Sequence, residues 1–260
     1  MTTDEILSMI VSAERKAGEM IRHAHGVIAE NKTDARNVVT EYDRNIQELL
    51  IRSFRAELPE AHFFCEENDL QDSLNAEHVF IIDPIDGTAN FVSGFHHSCI
   101  SVAYASFGKV CAAAIYNPYV DEMFTALKGK GAFLNGKPIH VHDHSLEGSV
   151  ACLGSCPYYH ELADATFRML RYMYDHALDI RREGSAALDL CSVAAGRAGV
   201  FMELKLSYWD YAAGALIVEE AGGRCFSAPG VPLPADGSKT CVAAVGSGVE
   251  LPPELFDLGD

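Results

Sequence analysis

The chain has 260 residues, of which 48% are hydrophobic and 22% charged, a composition that excludes a disordered or fibrous protein. Its formal net charge of −17 argues against a nucleic-acid partner, because surfaces that bind nucleic acids are basic. The same charge repels an anionic ligand unless metal ions reverse the local sign.

The first residues, MTTDEILSMIVSAERK, lack the basic and unbroken apolar regions of a signal peptide, and no apolar run of about 18 residues predicts a membrane span. Eight cysteines are spread through apolar segments without a C-x-x-C pair, which is typical of buried thiols in a reducing compartment. We therefore expect a cytoplasmic protein that binds neither membrane nor nucleic acid.

The first half of the chain predicts two helices followed by strands. Thr2 and Glu5 have the spacing of a capping box, and apolar residues then recur on one helical face. The polar stretch AENKTDARNVVTEYD ends this pattern, and a second helix is predicted from about Asp43 to just before Pro59. HFFCEE and HVFIIDPIDG are short apolar strands that end in acids.

From residue 98 to 141 the pattern is rich in strands, and GKGAFLNGKPIHV predicts a hairpin with an Asn-Gly turn. A second section starts near Ser149 with the strand SVACLGS. Helices at about 158–175, 185–196 and 208–221 then alternate with the strands ALDIRR and GVFMEL, before a last strand at TCVAAVG. This order predicts a layered α/β (α+β) protein. We expect one domain over residues 1–260, with two packed halves of about 1–147 and 148–260.

Acidic residues gather at the ends of the predicted strands. Asp83 and Asp86 flank Pro84, whose ring stiffens the turn, and two carboxylates so close either share a proton or hold a cation. Glu66 follows HFFC, and Asp210 begins a helix in YWDYAAG. Because a proton-sharing pair needs only two carboxylates, four acids favour a cation, and all-oxygen ligands suit Mg²⁺.

Gly87 and Thr88 come directly after these acids. Glycine permits close backbone approach, threonine supplies a hydroxyl, and a helical turn starting there directs free N–H groups at an anion. The residues thus predict a metal-assisted site for phosphate chemistry. The alternative is a solvent-exposed acidic turn capped by Thr88.

DPIDGTANF resembles the signature of the inositol monophosphatase family, which belongs to a superfamily of lithium-sensitive, magnesium-dependent phosphomonoesterases. NKTDARNVVTEYD resembles the lysine-bearing loop of that family, and FFCEEN its "GEE" strand end. EGSAALDLCSVAAGRAGVFMELKLSYWDYAAG resembles its second signature, and the matches follow the family order up to about residue 245. The resemblance implies a layered αβαβα sandwich and a homodimer.

The resemblance also implies a set of metal ligands. Glu66 and Asp83, with the carbonyl of Ile85, would hold a first Mg²⁺. Asp83, Asp86 and Asp210 would hold a second, and Glu66 would help a weaker third ion whose other ligands are mostly water. The cofactor expected is therefore two or three magnesium ions.

The remaining implied roles concern catalysis and substrate binding. Asp43 and Thr88 would orient the attacking water on the metal side, where Glu66 also acts, and the amides of Gly87 and Thr88 would hold phosphate oxygens. The substrate's alcohol part would contact Ser155, the amide of Ala186, Glu203, Asp86 and Asp210. A carboxylate that accepts two hydroxyls favours a polyol phosphate.

Some positions depart from the family pattern. Asn37 stands where many relatives have Asp, from which we expect a weaker third metal or weaker loop closure, while Lys32 matches the loop lysine. Cys65 and Tyr208 replace smaller residues and are interpreted as packing variants. His140, His142 and His144 in IHVHDH could bind zinc on one face of a strand, although an exposed strand end is the preferred interpretation.

We expect a metal-dependent phosphomonoesterase that hydrolyses myo-inositol monophosphate with metal-activated water and without a phosphoenzyme. Histidinol phosphate, fructose-1,6-bisphosphate and nucleotide 3′-phosphates are alternative substrates within the same superfamily. A regulatory protein with secondary phosphatase activity is a second alternative. The acid set is intact, which argues against lost catalysis, and the negative charge argues against RNA binding.

Overall fold

Five layers of helix and sheet make up the protein, which a computed structural model describes over residues 1–31, 38–67 and 70–258. Lys32 and Asn37, named above for the lysine-bearing loop, lie outside the described residues. The layers alternate as helices, seven strands, helices, five strands and a helix. This confirms the predicted αβαβα sandwich.

The first layer contains two amphipathic helices, α1 (Thr3–Arg22) and α2 (Glu41–Glu57). The predicted capping box of Thr2 and Glu5 is confirmed at the start of α1. Helix α2 begins two residues before the predicted start, because Thr40 and Asp43 form a second capping box. Strands β1 (Ala29–Asn31) and β2 (Val38–Thr40) form an antiparallel pair that the sequence pattern did not predict.

The second layer is a seven-stranded sheet in sequential order, parallel between its first two strands and antiparallel elsewhere. Its strands are β3 (His62–Cys65), β4 (Val79–Asp86), β5 (Cys99–Ser106), β6 (Lys109–Asn117), β7 (Glu122–Leu127), β8 (Gly131–Leu134) and β9 (Lys137–Ile139). A short helix, α3 (Thr88–Ser93), follows β4. The predicted Asn-Gly turn is confirmed, since Asn135 and Gly136 both have positive φ, at 49° and 75°.

The remaining elements build the last three layers. They are β10 (Val150–Leu153), α4 (Ala163–His176), β11 (Asp179–Arg181), α5 (Ala186–Ala194), β12 (Val200–Leu206), α6 (Tyr208–Glu220), β13 (Arg224–Phe226) and β14 (Thr240–Val245). The second sheet has the order β11-β10-β12-β14-β13. Helix α4 starts later than predicted, because residues 160–162 form a separate 3₁₀ turn. Strand β13 was not predicted, whereas α3 begins at Thr88, where a helical turn was considered from the sequence.

Three apolar cores separate the layers. Strand β4 is buried along its whole length, and its side chains point alternately into two of these cores. Phe80 and Ile82 face α1 and α2, whereas Val79 and Ile81 face α5 and α6. The outer face of the second sheet packs on Met169 of α4. The division into two halves near residue 147 stays a prediction.

The described residues contain no helix that is long and apolar enough to cross a membrane. All eight cysteines are free thiols.

A buried carboxyl group lies on the inner face of α1. Glu14 is 0% exposed, and neither of its side-chain oxygens has a hydrogen-bond partner among the described residues. Burial raises the pKa of Glu14 well above its usual range, so the folded protein keeps a proton that the unfolded chain releases. The contribution of Glu14 to the free energy of unfolding is fully present below the unfolded pKa of about 4.3. It declines as the pH rises above that value.

We therefore expect Glu14→Gln, which cannot ionise, to become more stable than the wild type as pH rises. The gain in free energy of unfolding should increase by up to about 1.4 kcal/mol per pH unit until the folded pKa is passed. Urea denaturation at about pH 6 and about pH 8.5 measures it, and Glu19→Gln on the exposed face of the same helix should change stability by less than about 0.5 kcal/mol. A gain independent of pH would contradict this account.

Candidate active site

Two acids meet where the parallel strands β3 and β4 end. Cys65 pairs with Ile82 in this register, and the Glu66 N–H donates to the Ile82 carbonyl oxygen at 3.1 Å. Because parallel strands finish at the same edge of a sheet, Glu66 comes to lie beside Asp83, and their side chains share a hydrogen bond. The parallel register therefore brings together two acids that are 17 positions apart in the sequence.

An irregularity in β4 brings Asp86 to the same cluster. Asp83 pairs with Ser101 and Asp86 with Cys99, so β4 has one residue more than β5 between these pairs. In a regular strand, residues three apart point to opposite faces, and an extra residue re-aims one of them. Both carboxylates are buried, at 2% and 9% exposure. The irregular stretch contains Pro84, which has no N–H to donate.

Capping boxes position two further acids. Asp210 is the third residue of α6 and accepts the Ser207 N–H at 2.7 Å, while Asp43 is the third residue of α2 and accepts the Thr40 N–H at 2.8 Å. The Thr40 hydroxyl also donates to Asp43, at 2.6 Å. Each acid thus lies in the first turn of a helix, where the helix dipole favours negative charge.

The N-terminus of α5 holds Asp86. Its Oδ2 accepts the Ser185 hydroxyl at 2.5 Å and the Ala187 N–H at 2.7 Å. Burial raises the pKa of Asp86 to about 6, although these two bonds act in the opposite direction. Sequence reasoning missed Ser185. The available signal was a serine directly before the helical run AALDLCSVA, which is a preferred N-cap residue.

The electrostatics of the cluster are dominated by burial and like charge. Burial, followed by the charges of Glu66, Asp86 and Asp210, raises the pKa of Asp83 well above its usual range. Burial, then Asp86 and Glu66, raises the pKa of Asp210 in the same way. Across the part of the chain that the structure describes, no lysine, arginine or histidine pairs with Asp83, Asp86 or Asp210.

This donor set fits a hard divalent cation. It offers carboxylate oxygens only, two of its acids are buried, and a cation would remove the repulsion among Glu66, Asp83, Asp86 and Asp210. Within residues 1–31, 38–67 and 70–258, no three His, Cys, Asp or Glu side chains form a ready-made cage for a metal ion. An open set suits Mg²⁺, which keeps several waters and takes few carboxylates.

The histidine segment follows the seven-stranded sheet. His140, His142 and His144 follow the end of β9 at Ile139 and are not part of a strand. The rings of His142 and His144 lie 5.1 Å apart, and the His142 Nδ1 accepts the His144 N–H. Among the described residues they form no metal-binding group of three, which leaves the zinc interpretation without support.

Gly87 and Thr88 lie at the start of α3, beside Asp43. Gly87 has a φ of 89°, and a Cβ there would approach the carbonyl oxygens of Gly184 and His97 to 3.1 Å. Only glycine fits this turn without strain. The Thr88 hydroxyl lies 3.3 Å from Asp43 Oδ1 and 3.0 Å from the Ile85 carbonyl oxygen. The predicted catalytic pair is therefore in contact.

Glu203 and Ser155 lie next to each other beyond the acid cluster. Glu203 accepts the Cys156 N–H at 3.0 Å, and a Cβ on Gly154 would overlap the Glu203 side chain. Ser155 accepts two hydrogen bonds from Arg182, at 3.1 and 2.9 Å. The charge of Glu203 is among the causes that raise the pKa of Asp86, so Glu203 lies within electrostatic range of the acid cluster.

Tyr158 connects this region with the acids. Its side chain is 47% exposed, and burial of its hydroxyl, then the charges of Glu66, Glu203 and Asp210, raise its pKa. The Arg182 charge acts in the opposite direction. Sequence reasoning identified neither Tyr158 nor the contact between Arg182 and Ser155, because both depend on which strands become neighbours.

All predicted site residues fall within the described part of the chain. The structure brings Glu66, Asp83, Asp86 and Asp210 into one cluster, Asp43 against Thr88, and Glu203 beside the Ser155–Cys156 segment. Ala186 is the first residue of α5, next to the amide of Ala187 that binds Asp86. Their roles as metal ligands, catalytic groups or substrate contacts stay predictions.

Comparison with known proteins gives one consistent result. A family model described as "Inositol monophosphatase family" matches residues 2–250. The chain is 38% identical to "Inositol monophosphatase 2" of Solanum lycopersicum, over 85% of this chain and 86% of that one. It is also 38% identical to "Nus factor SuhB" of Pseudomonas aeruginosa, over 84% and 83%. The solved structure of the extragenic suppressor protein suhB from Bartonella henselae superposes with a TM-score of 0.86 at 33% identity, covering 94% and 95% of the two chains.

Repulsion within the acid cluster should lower the melting temperature of the protein in EDTA. We expect Asp83→Asn to melt higher than the wild type in EDTA, by about 2–4 °C for each kcal/mol of repulsion removed. Added Mg²⁺ should raise the melting temperature of the wild type but hardly that of the variant, because a ligand stabilises only the state that binds it.

Differential scanning calorimetry with EDTA and with Mg²⁺ makes this measurement. Asp143→Asn, at a side chain that is 91% exposed, is the matched control and should leave both melting temperatures unchanged. An equal Mg²⁺ response in wild type and Asp83→Asn would exclude Asp83 as a ligand.

Proposed function

The chain belongs to the inositol monophosphatase family, and we propose that it is a Mg²⁺-dependent phosphomonoesterase whose preferred substrate is myo-inositol monophosphate. The observation that carries the proposal is the cluster of Glu66, Asp83, Asp86 and Asp210, which adjoins the Asp43–Thr88 pair. Among the residues that the structure describes, no cationic side chain pairs with Asp83, Asp86 or Asp210. Such a cluster is costly in a folded protein unless a cation occupies it.

Glu66, Asp83, the Ile85 carbonyl, Asp86 and Asp210 would hold two or three Mg²⁺ in this proposal. Bound magnesium lowers the pKa of water and offsets the charge that develops on phosphate and leaving oxygens. The protein's own contribution is rigidity. Asp86 is fixed by two donors of α5 and Asp210 by the Ser207 N–H, so neither carboxylate must reorganise when substrate arrives.

Asp43 and Thr88 would orient the attacking water. The Asp43 carboxylate is held by Thr40 on one oxygen and lies 3.3 Å from the Thr88 hydroxyl on the other. A water bound between them can donate to the carboxylate and accept from the hydroxyl, which fixes its direction of attack. Gly87 leaves space for phosphate oxygens to approach the backbone, and no phosphoenzyme is needed.

The alcohol part of the substrate would face Glu203, Ser155 and the start of α5. Glu203 is anchored by the Cys156 N–H through one oxygen, and the carboxylate can accept ring hydroxyls. This supports a polyol phosphate over histidinol phosphate or a nucleotide 3′-phosphate. Fructose-1,6-bisphosphate remains the alternative of the same chemical class.

A second candidate function comes from the relatives. The Pseudomonas aeruginosa protein that is 38% identical to this chain is named a Nus factor, so a regulatory interaction is the competing proposal. The net charge of −17 favours a protein partner over direct RNA contact. Loss of a cellular phenotype in a folded Asp43→Asn variant would assign the phenotype to catalysis, and its retention would assign it to the interaction.

Three further properties belong to the proposal because the family resemblance implies them: a homodimer, a cytoplasmic location and inhibition by lithium. The free thiols suit a reducing compartment. Sedimentation equilibrium tests the dimer, and phosphate release with and without Li⁺ tests the inhibition.

We expect phosphate release from myo-inositol 1-phosphate to require Mg²⁺ and to fall with Asp43→Asn by about 10²–10⁴-fold in kcat, the range for a lost general base. KM should change much less, because Asp43 acts on the water and not on the alcohol. A malachite-green assay measures both constants, with Asp175→Asn as a control on α4. Steady turnover in EDTA would contradict the proposal.

Glu203→Gln should raise KM for myo-inositol 1-phosphate by about tenfold and leave kcat for p-nitrophenyl phosphate unchanged, since that substrate has no ring hydroxyls to bind. Initial rates across a panel of phosphomonoesters measure this. A kcat/KM at least ~100-fold higher for another phosphate would replace inositol monophosphate as the preferred substrate.

A further inference from the structure

A buried glutamine links helix α2 to the chain that follows strand β3. Gln47 is 2% exposed, and its side-chain amide makes two hydrogen bonds with the backbone of Glu67. The Gln47 Nε2 donates to the Glu67 carbonyl oxygen at 2.9 Å, and the Gln47 Oε1 accepts the Glu67 N–H at 3.0 Å. Because an amide carries both a donor and an acceptor, Gln47 satisfies both backbone groups of one residue, as a neighbouring strand would.

The pairing of β3 with β4 reaches Glu66 and ends there. The Glu66 N–H donates to the Ile82 carbonyl oxygen at 3.1 Å. In a parallel pair with this register, the next bond would run from the N–H of residue 84 to the Glu66 carbonyl oxygen. Residue 84 is proline, which has no N–H to donate. The ladder therefore stops at Glu66, and Gln47 holds the backbone one residue later, at Glu67.

The position of Glu66 is under electrostatic load, because its side chain lies against Asp83. The two side chains share a hydrogen bond, and burial followed by the charge of Glu66 raises the pKa of Asp83. Two carboxylates so close repel each other when both are ionised. Strand β3 is the first strand of its sheet, so this repulsion acts to move the end of β3 away from β4. The anchored backbone of Glu67 opposes that movement.

The helix that carries Gln47 also carries Asp43. The two residues are four positions apart on α2 and therefore lie on one face of the helix. Both are buried, and the Asp43 carboxylate lies 3.3 Å from the Thr88 hydroxyl. Leu50, which is also buried, packs the same helix into the core beneath the seven-stranded sheet. Helix α2 thus fixes the proposed water-orienting carboxylate and, through Gln47, the backbone beside Glu66.

We propose that Gln47 is a positioning residue that holds Glu66 beside Asp83 before metal binds and thereby sets the affinity of the site for Mg²⁺. This rests on the metal site of the proposed function and adds to it a residue that contacts neither metal nor substrate. Groups that orient a metal ligand from behind commonly account for about 10–100-fold in metal affinity. Because Gln47 acts on the backbone next to Glu66, its loss should weaken Mg²⁺ binding and spare the chemistry once Mg²⁺ is bound.

Isothermal titration of the full chain with Mg²⁺ tests the proposal. Gln47→Met keeps the length of the side chain and removes its amide, and it should raise the Kd for Mg²⁺ by about 10–100-fold. Saturating Mg²⁺ should then restore kcat for myo-inositol 1-phosphate. Gln71→Met makes the same change at an exposed glutamine next to β3 and should leave the Kd unchanged.

A double-mutant cycle tests whether Gln47 acts through Glu66. Glu66→Gln should itself raise the Kd for Mg²⁺, and adding Gln47→Met should raise it little further, because both changes act on the same ligand. Hydrogen exchange without metal gives a readout independent of activity. The Glu67 amide should exchange faster in Gln47→Met than in the wild type, since its hydrogen-bond acceptor is gone.

An unchanged Kd in Gln47→Met, or full additivity with Glu66→Gln, would overturn the proposal. Circular dichroism melts identify a variant that has lost its fold. Gln47→Asn, whose amide is one methylene too short to reach Glu67, then replaces Gln47→Met with the same expected rise in Kd. If the wild type binds Mg²⁺ but releases no phosphate, the phosphatase function fails and the Kd values still decide the role of Gln47. A wild type that binds no Mg²⁺ would overturn both.

Discussion

The mutual repulsion of four clustered carboxylates, two of them buried, is the constraint on which the site depends. Like charges removed from water destabilise a fold, and they stay together only where surrounding structure holds them and a cation can offset them. Each of these acids is positioned by a different structural feature. The parallel pairing of β3 with β4 brings Glu66 beside Asp83, one extra residue in β4 re-aims Asp86, and a capping box fixes Asp210. Rigidity of this kind keeps the carboxylates in place before any ion binds.

The layered architecture explains how these structural features bring the acids to one place. Helices α5 and α6 lie between the two sheets, so their N-termini reach the edge where β3 and β4 end. Ser185 and Ala187 of α5 supply donors to Asp86, and the first turn of α6 supplies Asp210. The apolar faces of these helices are buried on both sides, which ties the geometry of the site to the packing of the core.

Charge is distributed unevenly around the site. The chain as a whole carries −17, and the acid cluster concentrates negative charge in one place. Basic side chains contact the segment of residues 155–159, where Arg182 donates to Ser155 and two lysines contact Tyr159. Screening over about 8 Å at physiological salt means that each ligand group responds mainly to its near neighbours. The potential at any one point of the site therefore follows from the neighbouring side chains and not from the net charge alone.

The sequence by itself determined most helices and strands, the Asn-Gly hairpin and the identity of the clustered acids, because periodicity, turn chemistry and short motifs are local properties. The order of the five layers came from the family resemblance alone. The sequence pattern missed β1, β2 and β13, which are short, and the contact of Ser185 with Asp86, which is 99 positions away. Only the tertiary structure decided that Glu66 stands beside Asp83 and that Arg182 donates to Ser155. The physical reason is that contacts between distant segments follow from strand register and layer packing, which no local pattern encodes.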